Sequence, residues 1–364
     1  MANLLVTGGA GFIGTNFVHY WLARHPEDHV VVLDALTYAG NRSSLGPASS
    51  NPGLTFVHGD IRAPGLAAGL LREHRISTLV HFAAETHVDR SITGPDPFLD
   101  TNVIGTHALL KAARQVWLDE AAASQGAARF HHISTDEVYG SLGPDDPPFT
   151  EESPYRPSSP YAASKAASDH LVRAYHRTYS LPITITNCSN NYGRFQFPEK
   201  LIPFMLLRAL EGEPLPVYGD GLQVRDWLHV EDHCAALEQV MARGRVGETY
   251  NIGGDSEWTN LQVIGLLAGL LDEAFSVDGG LVRRFPRCPA ARGLPTGSLI
   301  THVSDRPGHD RRYAINAGKL AVELGYRPLH PFEIGLRETV AWYLDHEEWW
   351  RSVLDASYRG GYSE

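Results

Sequence analysis

A short apolar run at residues 4–6 leads directly into the glycine-rich sequence Thr-Gly-Gly-Ala-Gly-Phe-Ile-Gly at residues 7–14. A helical pattern follows to about residue 25, and a second apolar run at residues 30–33 ends at Asp34. Glycines at positions 8, 11 and 14 permit a tight strand-to-helix turn and let the backbone approach a pyrophosphate at the helix N-terminus. Asp34 follows the last of these glycines by 20 residues, as the fingerprint requires. The pattern therefore predicts a dinucleotide-binding unit at the start of the chain.

The identity of the dinucleotide follows from Asp34. A carboxylate at the end of the second strand hydrogen-bonds the adenosine ribose hydroxyls and repels a 2′-phosphate, which favours NAD over NADP. The alternative is an acid that only caps a loop. The residues predicted to contact NAD lie in the glycine turn, at strand ends and in a later Tyr-x-x-x-Lys pair: Gly8, Gly11, Phe12, Ile13, Gly14, Asp34, Asp60, Ile61, Ala83, Tyr161 and Lys165.

Strand and helix patterns alternate through the first half of the chain. Strands are predicted at residues 55–60, 78–82 and 129–134, with helices near residues 65–73 and 102–117. Such alternation predicts an α/β fold, a Rossmann-type doubly wound parallel sheet with ligands at the carboxyl ends of the strands. We expect residues 1–186 to form the NAD-binding domain, and residues 187–364 to form mainly a smaller α/β substrate-binding lobe, with some strands interleaved.

Composition excludes several classes of function. Lys and Arg total 31 against 42 Asp and Glu, a net charge of −11, which argues against nucleic acid or an anionic membrane as a partner. The longest apolar runs are read as too short to span a bilayer, and no signal peptide is recognised. The three cysteines, Cys188, Cys234 and Cys288, are far apart, so we expect reduced thiols in a cytoplasmic protein, without a metal site.

Tyr161 and Lys165 are four residues apart and share one face of a predicted helix. The ammonium of Lys165 is expected to lower the pKa of the phenol and to hold the nicotinamide ribose. Tyr161 is then able to take a proton from a substrate hydroxyl while hydride passes to NAD⁺. Thr135, at the end of a predicted strand, supplies a hydroxyl for the same substrate oxygen.

Two adjacent acids, Asp136 and Glu137, follow Thr135. A plain alcohol oxidation has no work for them, whereas an enzyme that also removes a proton and expels water needs one protonated and one ionised carboxyl group. The residues alone leave open which acid has which role. A further alternative is that both acids only favour a helix N-terminus.

The second half of the chain carries basic residues suited to a diphosphate. Arg225, Arg306 and Lys200 are candidates because the arginine fork matches paired phosphate oxygens. Residues 283–297 are rich in Arg, Pro and Gly without a period, which predicts an exposed loop of no assigned function.

Taken together, these motifs resemble the dTDP-glucose 4,6-dehydratases, extended members of the short-chain dehydrogenase/reductase superfamily. The resemblance covers nearly the whole chain, through segments 7–14, 83–91, 134–140, 161–165, 187–203, 225–228 and 305–313. The Thr-Asp-Glu triplet at residues 135–137 is the most specific of them, because it distinguishes the family from sugar-nucleotide epimerases and decarboxylases.

The resemblance implies a three-step reaction. Tyr161, helped by Thr135, removes the proton of the glucose 4-hydroxyl as hydride passes from C4 to NAD⁺. Glu137 takes the acidified C5 proton while Asp136 protonates the departing C6 hydroxyl. Hydride then returns to C6 and a proton returns to C5, so that NAD is regenerated in each turnover and stays tightly bound. The product is dTDP-4-keto-6-deoxyglucose.

The resemblance also implies the substrate contacts and the assembly. The substrate-binding residues are expected to be Glu85, Thr86, Asn190, Lys200, Arg225, Asn260, Arg306 and His309. A homodimer is expected, with the helices near residues 102–117 and 162–179 at the interface. Thr86 stands where the family usually has Ser, which preserves the hydroxyl. Arg194 stands where Pro is usual, and the insertion at residues 283–297 lengthens a region close to the diphosphate arginines. These two departures make the base preference less certain than the reaction.

Two other functions compete with this interpretation. Another NAD-dependent sugar-nucleotide enzyme, such as a 4-epimerase, a UDP-glucuronate decarboxylase or a 4,6-dehydratase acting on a different nucleotide, uses the same cofactor and Tyr/Lys pair. The first two leave Asp136 and Glu137 without a role. A non-catalytic NAD-sensing protein has no reason to keep Thr135, Tyr161 and Lys165 together.

Overall fold

A seven-stranded parallel sheet is the centre of the computed structural model, which describes residues 2–120, 128–305 and 308–359. The strands are β1 (Asn3–Thr7), β2 (His29–Asp34), β3 (Leu54–His58), β4 (Thr78–His81), β5 (Arg129–Thr135), β6 (Ile183–Cys188), β7 (Asn190–Tyr192), β8 (Leu215–Tyr218), β9 (Val224–His229), β10 (Thr249–Ile252), β11 (Glu257–Thr259) and β12 (Ile300–Val303).

Helices cover both faces of this sheet and fill the second lobe. They are α1 (Phe12–Arg24), α2 (Leu66–Glu73), α3 (Val88–Thr93), α4 (Asp96–Phe98), α5 (Thr106–Arg114), α6 (Pro160–Tyr179), α7 (Leu201–Leu210), α8 (Val230–Arg243), α9 (Asn260–Val277), α10 (Gly279–Arg284), α11 (Gly318–Leu324), α12 (Phe332–Asp345) and α13 (Glu347–Arg359). Two π-helical segments, Leu99–Gly105 and Gln115–Asp119, flank α5 and continue it in both directions.

The large sheet has the strand order β10-β6-β5-β4-β1-β2-β3, and every neighbouring pair is parallel. The chain runs outward from β1 to β3 on one side and returns through β4 on the other. This reversal opens a crevice at the carboxyl ends of β1 and β4, where ligands of doubly wound sheets bind. The predicted Rossmann-type α/β fold is confirmed.

The second lobe is built on two small sheets, β11-β9-β7 and β12-β8. An apolar core formed by α7, α9 and α12, with Leu206, Leu267 and Leu336 almost fully buried, holds it together. The lobes interlock, because β10 leaves the second half of the chain to pair with β6. The predicted boundary at residue 186 falls inside β6, and the division into two domains stays a prediction.

The segment 283–297 differs from the exposed loop that its composition predicts. Phe285, Cys288 and Thr296 are 2%, 0% and 0% exposed. The hydroxyl of Thr296 donates a hydrogen bond to Asp272 of α9 at 2.6 Å. The prediction is wrong for these positions because short 3₁₀ turns at Pro289–Arg292 and Thr296–Leu299 bury single side chains without producing a period.

Helix α9 corrects a second expectation. By length and composition alone it is apolar enough to cross a membrane, although the apolar runs of the sequence are read as too short. Its apolar side chains, among them Ile264, Leu267 and Leu271, are buried in the core of the second lobe. Core helices commonly pass the same test, so α9 is accounted for as the central helix of this lobe.

The glycine turn leaves no space for a methyl group at Gly14. A Cβ at Gly14 would lie 2.2 Å from the carbonyl oxygen of Gly8. We therefore expect Gly14→Ala to lower the free energy of unfolding by about 1–3 kcal/mol, the usual cost of overpacking, measured by urea denaturation. The control is Gly69→Ala in α2, where a Cβ meets nothing within 4 Å and helix propensity favours alanine. Equal stability of the two variants would contradict the role of close packing.

Candidate active site

A cavity of about 580 Å³ opens at the carboxyl ends of the central strands, between the large sheet and the second lobe. Most of the predicted site residues line it. From the cofactor set these are Gly8, Gly11, Phe12, Ile13, Gly14, Asp34, Asp60, Ile61, Ala83, Tyr161 and Lys165. From the catalytic and substrate sets they are Thr135, Asp136, Glu137, Glu85, Thr86, Asn190 and Lys200.

The glycine turn forms the floor of the cavity next to β4. Gly8 has a φ of +71°, and a Cβ there would lie 2.6 Å from the backbone nitrogen of Ala83. Only glycine fits both the dihedral angle and this contact. The backbone is thereby exposed to a ligand at the N-terminus of α1, as a pyrophosphate site requires.

Asp34 braces the same turn. Its two carboxylate oxygens accept hydrogen bonds of 2.8 Å from the backbone N–H groups of Ala10 and Leu36. Burial raises the pKa of Asp34, although these two hydrogen bonds oppose the shift. Each oxygen keeps a second lone pair, so the loop-capping role is compatible with a ribose contact, which stays a prediction.

Asp60 and Ile61 lie at the outer end of the cavity. The carboxylate of Asp60 accepts hydrogen bonds from the guanidinium of Arg62, the shortest at 2.7 Å, and these bonds lower the pKa of Asp60. Ile61 is 5% exposed and fills the space that a side chain at Gly105 would need. Both residues therefore shape the wall, and Arg62 is a lining residue that the sequence did not single out.

Tyr161 and Lys165 are carried by the first turns of α6. This helix begins after Ser159, whose hydroxyl accepts a hydrogen bond from the N–H of Ala162, and Pro160 occupies its first position. Lys165 is 5% exposed, and its ammonium donates a hydrogen bond to the carbonyl of Ile133 at 2.7 Å. The helix thus presents both side chains to the end of β5.

The phenol of Tyr161 does not have the lowered pKa predicted from its neighbour Lys165. Burial, followed by the charge of Glu137, raises the pKa of Tyr161 well above its usual value, and a hydrogen bond with Thr135 is the opposing influence. The expectation is wrong for this structure because desolvation outweighs every nearby favourable contact. Lys165 itself is drawn to the backbone carbonyl of Ile133.

A short 3₁₀ turn follows β5 and begins with Asp136 and Glu137. Thr135 caps this turn, because its hydroxyl accepts a hydrogen bond from the N–H of Glu137 at 3.3 Å. Asp136 is 2% exposed. Burial, then Glu137 and Asp226, raise the pKa of Asp136 well above its usual value, although Arg225 acts in the opposite direction. The acids therefore do begin a helical turn, and the surroundings of Asp136 in addition favour its protonated form.

Asn102 connects the sugar side of the cavity to α6, and sequence reasoning missed it as a site residue. Its amide exchanges two hydrogen bonds with the backbone of Glu85, at 2.9 and 3.0 Å, and donates to the hydroxyl of Ser164 at 2.8 Å. A buried amide on a predicted helix has no spacing signal that reveals such a brace. The contact becomes visible only when β4, the helix and α6 meet.

Lys200 and Thr86 join the two lobes across the cavity. The ammonium of Lys200 donates to the carbonyl of Thr86 at 3.0 Å. Next to it, Glu199 accepts a hydrogen bond from the hydroxyl of Tyr38 at 3.1 Å, and the guanidinium of Arg90 lies 3.9 Å from the Tyr38 ring. Glu199 lines the cavity, and its only signal in the sequence is its position beside Lys200.

Three predicted substrate residues lie away from the cavity wall. Arg225 is buried, donates to the carbonyls of Val224 and Asp310, and lies over the ring of Tyr313 at 4.3 Å. Asn260 begins α9, and its N–H donates to the carbonyl of Gln223. His309 contacts Asp305 at 2.6 Å. Arg306 lies outside the described residues.

Three features occur together in this chain. They are a glycine turn shaped for a pyrophosphate, a hydrogen bond between Tyr161 and Thr135 at the switch point, and a second lobe over the same cavity. This combination defines a dinucleotide-dependent enzyme of the short-chain dehydrogenase/reductase class. The model of the family described as GDP-mannose 4,6 dehydratase matches residues 5–339.

Individual relatives narrow this class. A dTDP-glucose 4,6-dehydratase of Xanthomonas campestris pv. campestris (strain B100) is 55% identical over 359 residues, covering 99% of this chain and 98% of that protein. The Escherichia coli enzyme of the same name is 50% identical, covering 98% of each. The chain belongs to the dTDP-glucose 4,6-dehydratase family, and the resemblance noted in the sequence is confirmed.

Solved structures agree with this assignment. DesIV, a dTDP-glucose 4,6-dehydratase from Streptomyces venezuelae crystallised with NAD bound, superposes with a TM-score of 0.84 at 49% identity, covering 96% of this chain and 99% of that one. A UDP-glucose 4-epimerase from Thermotoga maritima gives a TM-score of 0.79 at 27% identity, covering 94% and 99%. The fold is therefore shared with epimerases, whereas high identity is found with the dehydratases.

The raised pKa of Asp136 predicts that this acid costs stability. Since its folded-state pKa lies above the usual 3.8, its ionisation opposes folding at every pH above that value, and the cost disappears below it. We expect Asp136→Asn to be more stable than the parent at pH 7 by more than about 1 kcal/mol, since each unit by which the pKa is raised costs about 1.4 kcal/mol. The gain should shrink towards pH 4.

Urea denaturation at several pH values measures this difference. Asp355→Asn, at an exposed position of α13, is the matched control and should change the free energy of unfolding by less than about 0.5 kcal/mol. A gain in Asp136→Asn that stays constant from pH 4 to pH 7 would mean that ionisation of this acid is not the cause.

Proposed function

We propose that this chain is an NAD-dependent hydro-lyase that converts dTDP-glucose into dTDP-4-keto-6-deoxyglucose. The observation that carries the proposal is the buried Asp136, whose pKa is raised, beside Glu137 in the cavity that also contains Tyr161. Oxidation at C4 alone, as in an epimerase, has no use for such a pair. Elimination of water needs an acid for the departing hydroxyl and a base for the C5 proton.

The residues present fit NAD. The glycine turn leaves a cradle beside Ala83 that a single Cβ would fill, and Asp34 occupies the ribose end. Bound NAD supplies hydride acceptance from C4 and hydride return at C6. The protein contributes the cradle at Gly8, Gly11 and Gly14, and the nearby Lys165 to hold the nicotinamide ribose.

The side chains divide the proton transfers among themselves. Tyr161, hydrogen-bonded with Thr135, takes the proton of the 4-hydroxyl. Because burial and Glu137 raise the pKa of this phenol, the positive charges of NAD⁺ and of Lys165 must offset that rise for the phenolate to form. Asp136, kept protonated by burial, donates to the departing C6 hydroxyl. Glu137 receives the C5 proton, which the ketone at C4 acidifies. This assignment gives each of the two acids the role that the residues alone left open.

Several side chains are placed to hold the sugar nucleotide. Glu85, Thr86, Asn190 and Lys200 line the cavity, and the amide oxygen of Asn190 is buried without a hydrogen-bond partner within the described residues. We assign to this oxygen a donor on the substrate, because a buried acceptor is costly when unpaired. Arg225, Asn260, Arg306 and His309 remain predicted diphosphate contacts from the resemblance.

Loss of water from the substrate tests the function. The purified protein, with no added cofactor, is incubated with dTDP-glucose and separately with UDP-glucose. The masses of the products are measured by mass spectrometry. We expect the dTDP sugar alone to lose one water, because NAD is retained and regenerated. Turnover of the UDP sugar instead would overturn the base preference and keep the chemistry. No water loss after NAD is added would reject the dehydratase.

Glu137→Gln separates elimination from oxidation within the same assay. It should lower water loss by at least about 100-fold, the usual contribution of a general base, while absorbance at 340 nm still reports hydride transfer from C4. Glu152→Gln, at an exposed position outside the cavity, is the matched control and should keep parental turnover. Unchanged water loss in Glu137→Gln would favour the epimerase or decarboxylase alternative.

We further infer that the protein is a cytoplasmic homodimer. Apolar side chains are exposed around the predicted interface helices: Ile92, Leu99, Ile104, Leu118 and Tyr179 are 38–53% exposed. Clustered apolar exposure of this kind is typical of a surface covered by a partner. A second copy of the chain is the partner that the family resemblance implies.

A charge in this patch should dissociate the dimer. Ile104→Glu is expected to shift the mass measured by light scattering from two chains to one, because burying an unpaired carboxylate at an interface is costly. Val322→Glu, at a residue 88% exposed on α11, is the control and should remain dimeric. A dimer that survives in Ile104→Glu would place the interface elsewhere.

A further inference from the structure

A group of three side chains that could bind a metal ion lies outside the cavity. His229 ends β9, Glu231 lies in the first turn of α8, and His330 precedes α12. One ligand atom from each lies within 4.8 Å of the other two. We propose that His229, Glu231 and His330 form a binding site for a divalent transition-metal ion, with Zn²⁺ as the preferred occupant.

The donor set determines which metal fits. Two imidazoles and one carboxylate suit zinc and its neighbours, whereas Mg²⁺ and Ca²⁺ prefer oxygen ligands. The two histidine rings are already close, with centroids 4.1 Å apart. A tetrahedral centre with bonds of about 2.1 Å needs ligand atoms about 3.5 Å apart. Metal binding therefore requires the ligand atoms, which lie within 4.8 Å of one another, to move closer together.

Asp232 provides the support that metal-binding histidines usually have. One of its oxygens lies 2.8 Å from Nδ1 of His330, and the other accepts the N–H groups of Leu329 and His330 at 2.9 Å each. A carboxylate that binds one ring nitrogen fixes the ring and directs the other nitrogen at the metal. We therefore assign Nε2 of His330 as the ligating atom, because Nδ1 is taken by Asp232.

His229 offers a buried ring nitrogen to an incoming metal ion. It is 7% exposed, and its Nδ1 is buried without a hydrogen-bond partner within the described residues. A buried polar atom without a partner is costly. A metal ion bound at this nitrogen would remove that cost.

Arg194 is the competitor for this site. Its guanidinium lies 3.2 Å from Glu231, and it also donates to the side chain of Asn16 on α1 at 2.9 Å. A metal ion would take the place of this cation at Glu231. Arg194 is one of the positions at which the sequence departs from the family. In the structure this residue contacts Glu231, one of the three proposed metal ligands.

Metal titration of the intact, tag-free protein tests the proposal. After dialysis against a chelator, Zn²⁺ is titrated by calorimetry and Co²⁺ by visible absorption. We expect one ion per chain, with affinity at least tenfold lower in His330→Ala and in Glu231→Gln, and higher in Arg194→Gln. Mg²⁺ at the same concentration should not bind.

The control uses a second histidine pair. His74 stacks on His29 with centroids 5.8 Å apart, but this pair belongs to no described group of three ligands. His74→Ala should bind Zn²⁺ like the parent. Absence of one-site binding, equal loss in His74→Ala, or parental affinity in folded Glu231→Gln would each overturn the proposal. Circular dichroism verifies folding, and none of these measurements depends on enzymatic activity.

Discussion

The active site depends on one buried carboxylate, that of Asp169. It accepts hydrogen bonds from Ser134 of β5 at 2.9 Å and from Tyr155 at 2.7 Å, and it is 0% exposed. Burial opposes its ionisation, yet His132 and the cations Lys165 and Arg173 keep the pKa of Asp169 below its usual value. An ion so deep is tolerated only with such partners. Asp169 thereby ties α6, which carries Tyr161, to the end of β5.

A contrast between two buried acids explains how the site divides its chemistry. Asp169 has hydroxyl donors and cations around it and stays ionised. Asp136 is equally buried but faces Glu137 and Asp226, so that its pKa is raised. The pKa values of two identical side chains are therefore shifted in opposite directions. Environment, and not residue type, determines which of them can donate a proton.

Prediction from the sequence succeeded where a property is local. The glycine turn, the strand-helix alternation and the Tyr161/Lys165 spacing each depend on neighbours along the chain, and all appear in the structure. It failed where burial decides the outcome. The segment 283–297 packs against α9, and the pKa of Tyr161 is raised because desolvation outweighs nearby charge. Arg225, predicted to contact a diphosphate, instead lies against the ring of Tyr313 and away from the cavity wall.

The sequence by itself determined the doubly wound fold, the family and the main motifs that line the cavity, because these depend on short motifs with fixed stereochemical requirements. Only the tertiary structure decided that the pKa of Asp136 is raised, that Asn102 contacts Glu85, and that His229 meets His330. The partners in these contacts come from separate elements of the chain, and their energies arise from desolvation and close approach. Such terms exist only once the strands and helices have packed.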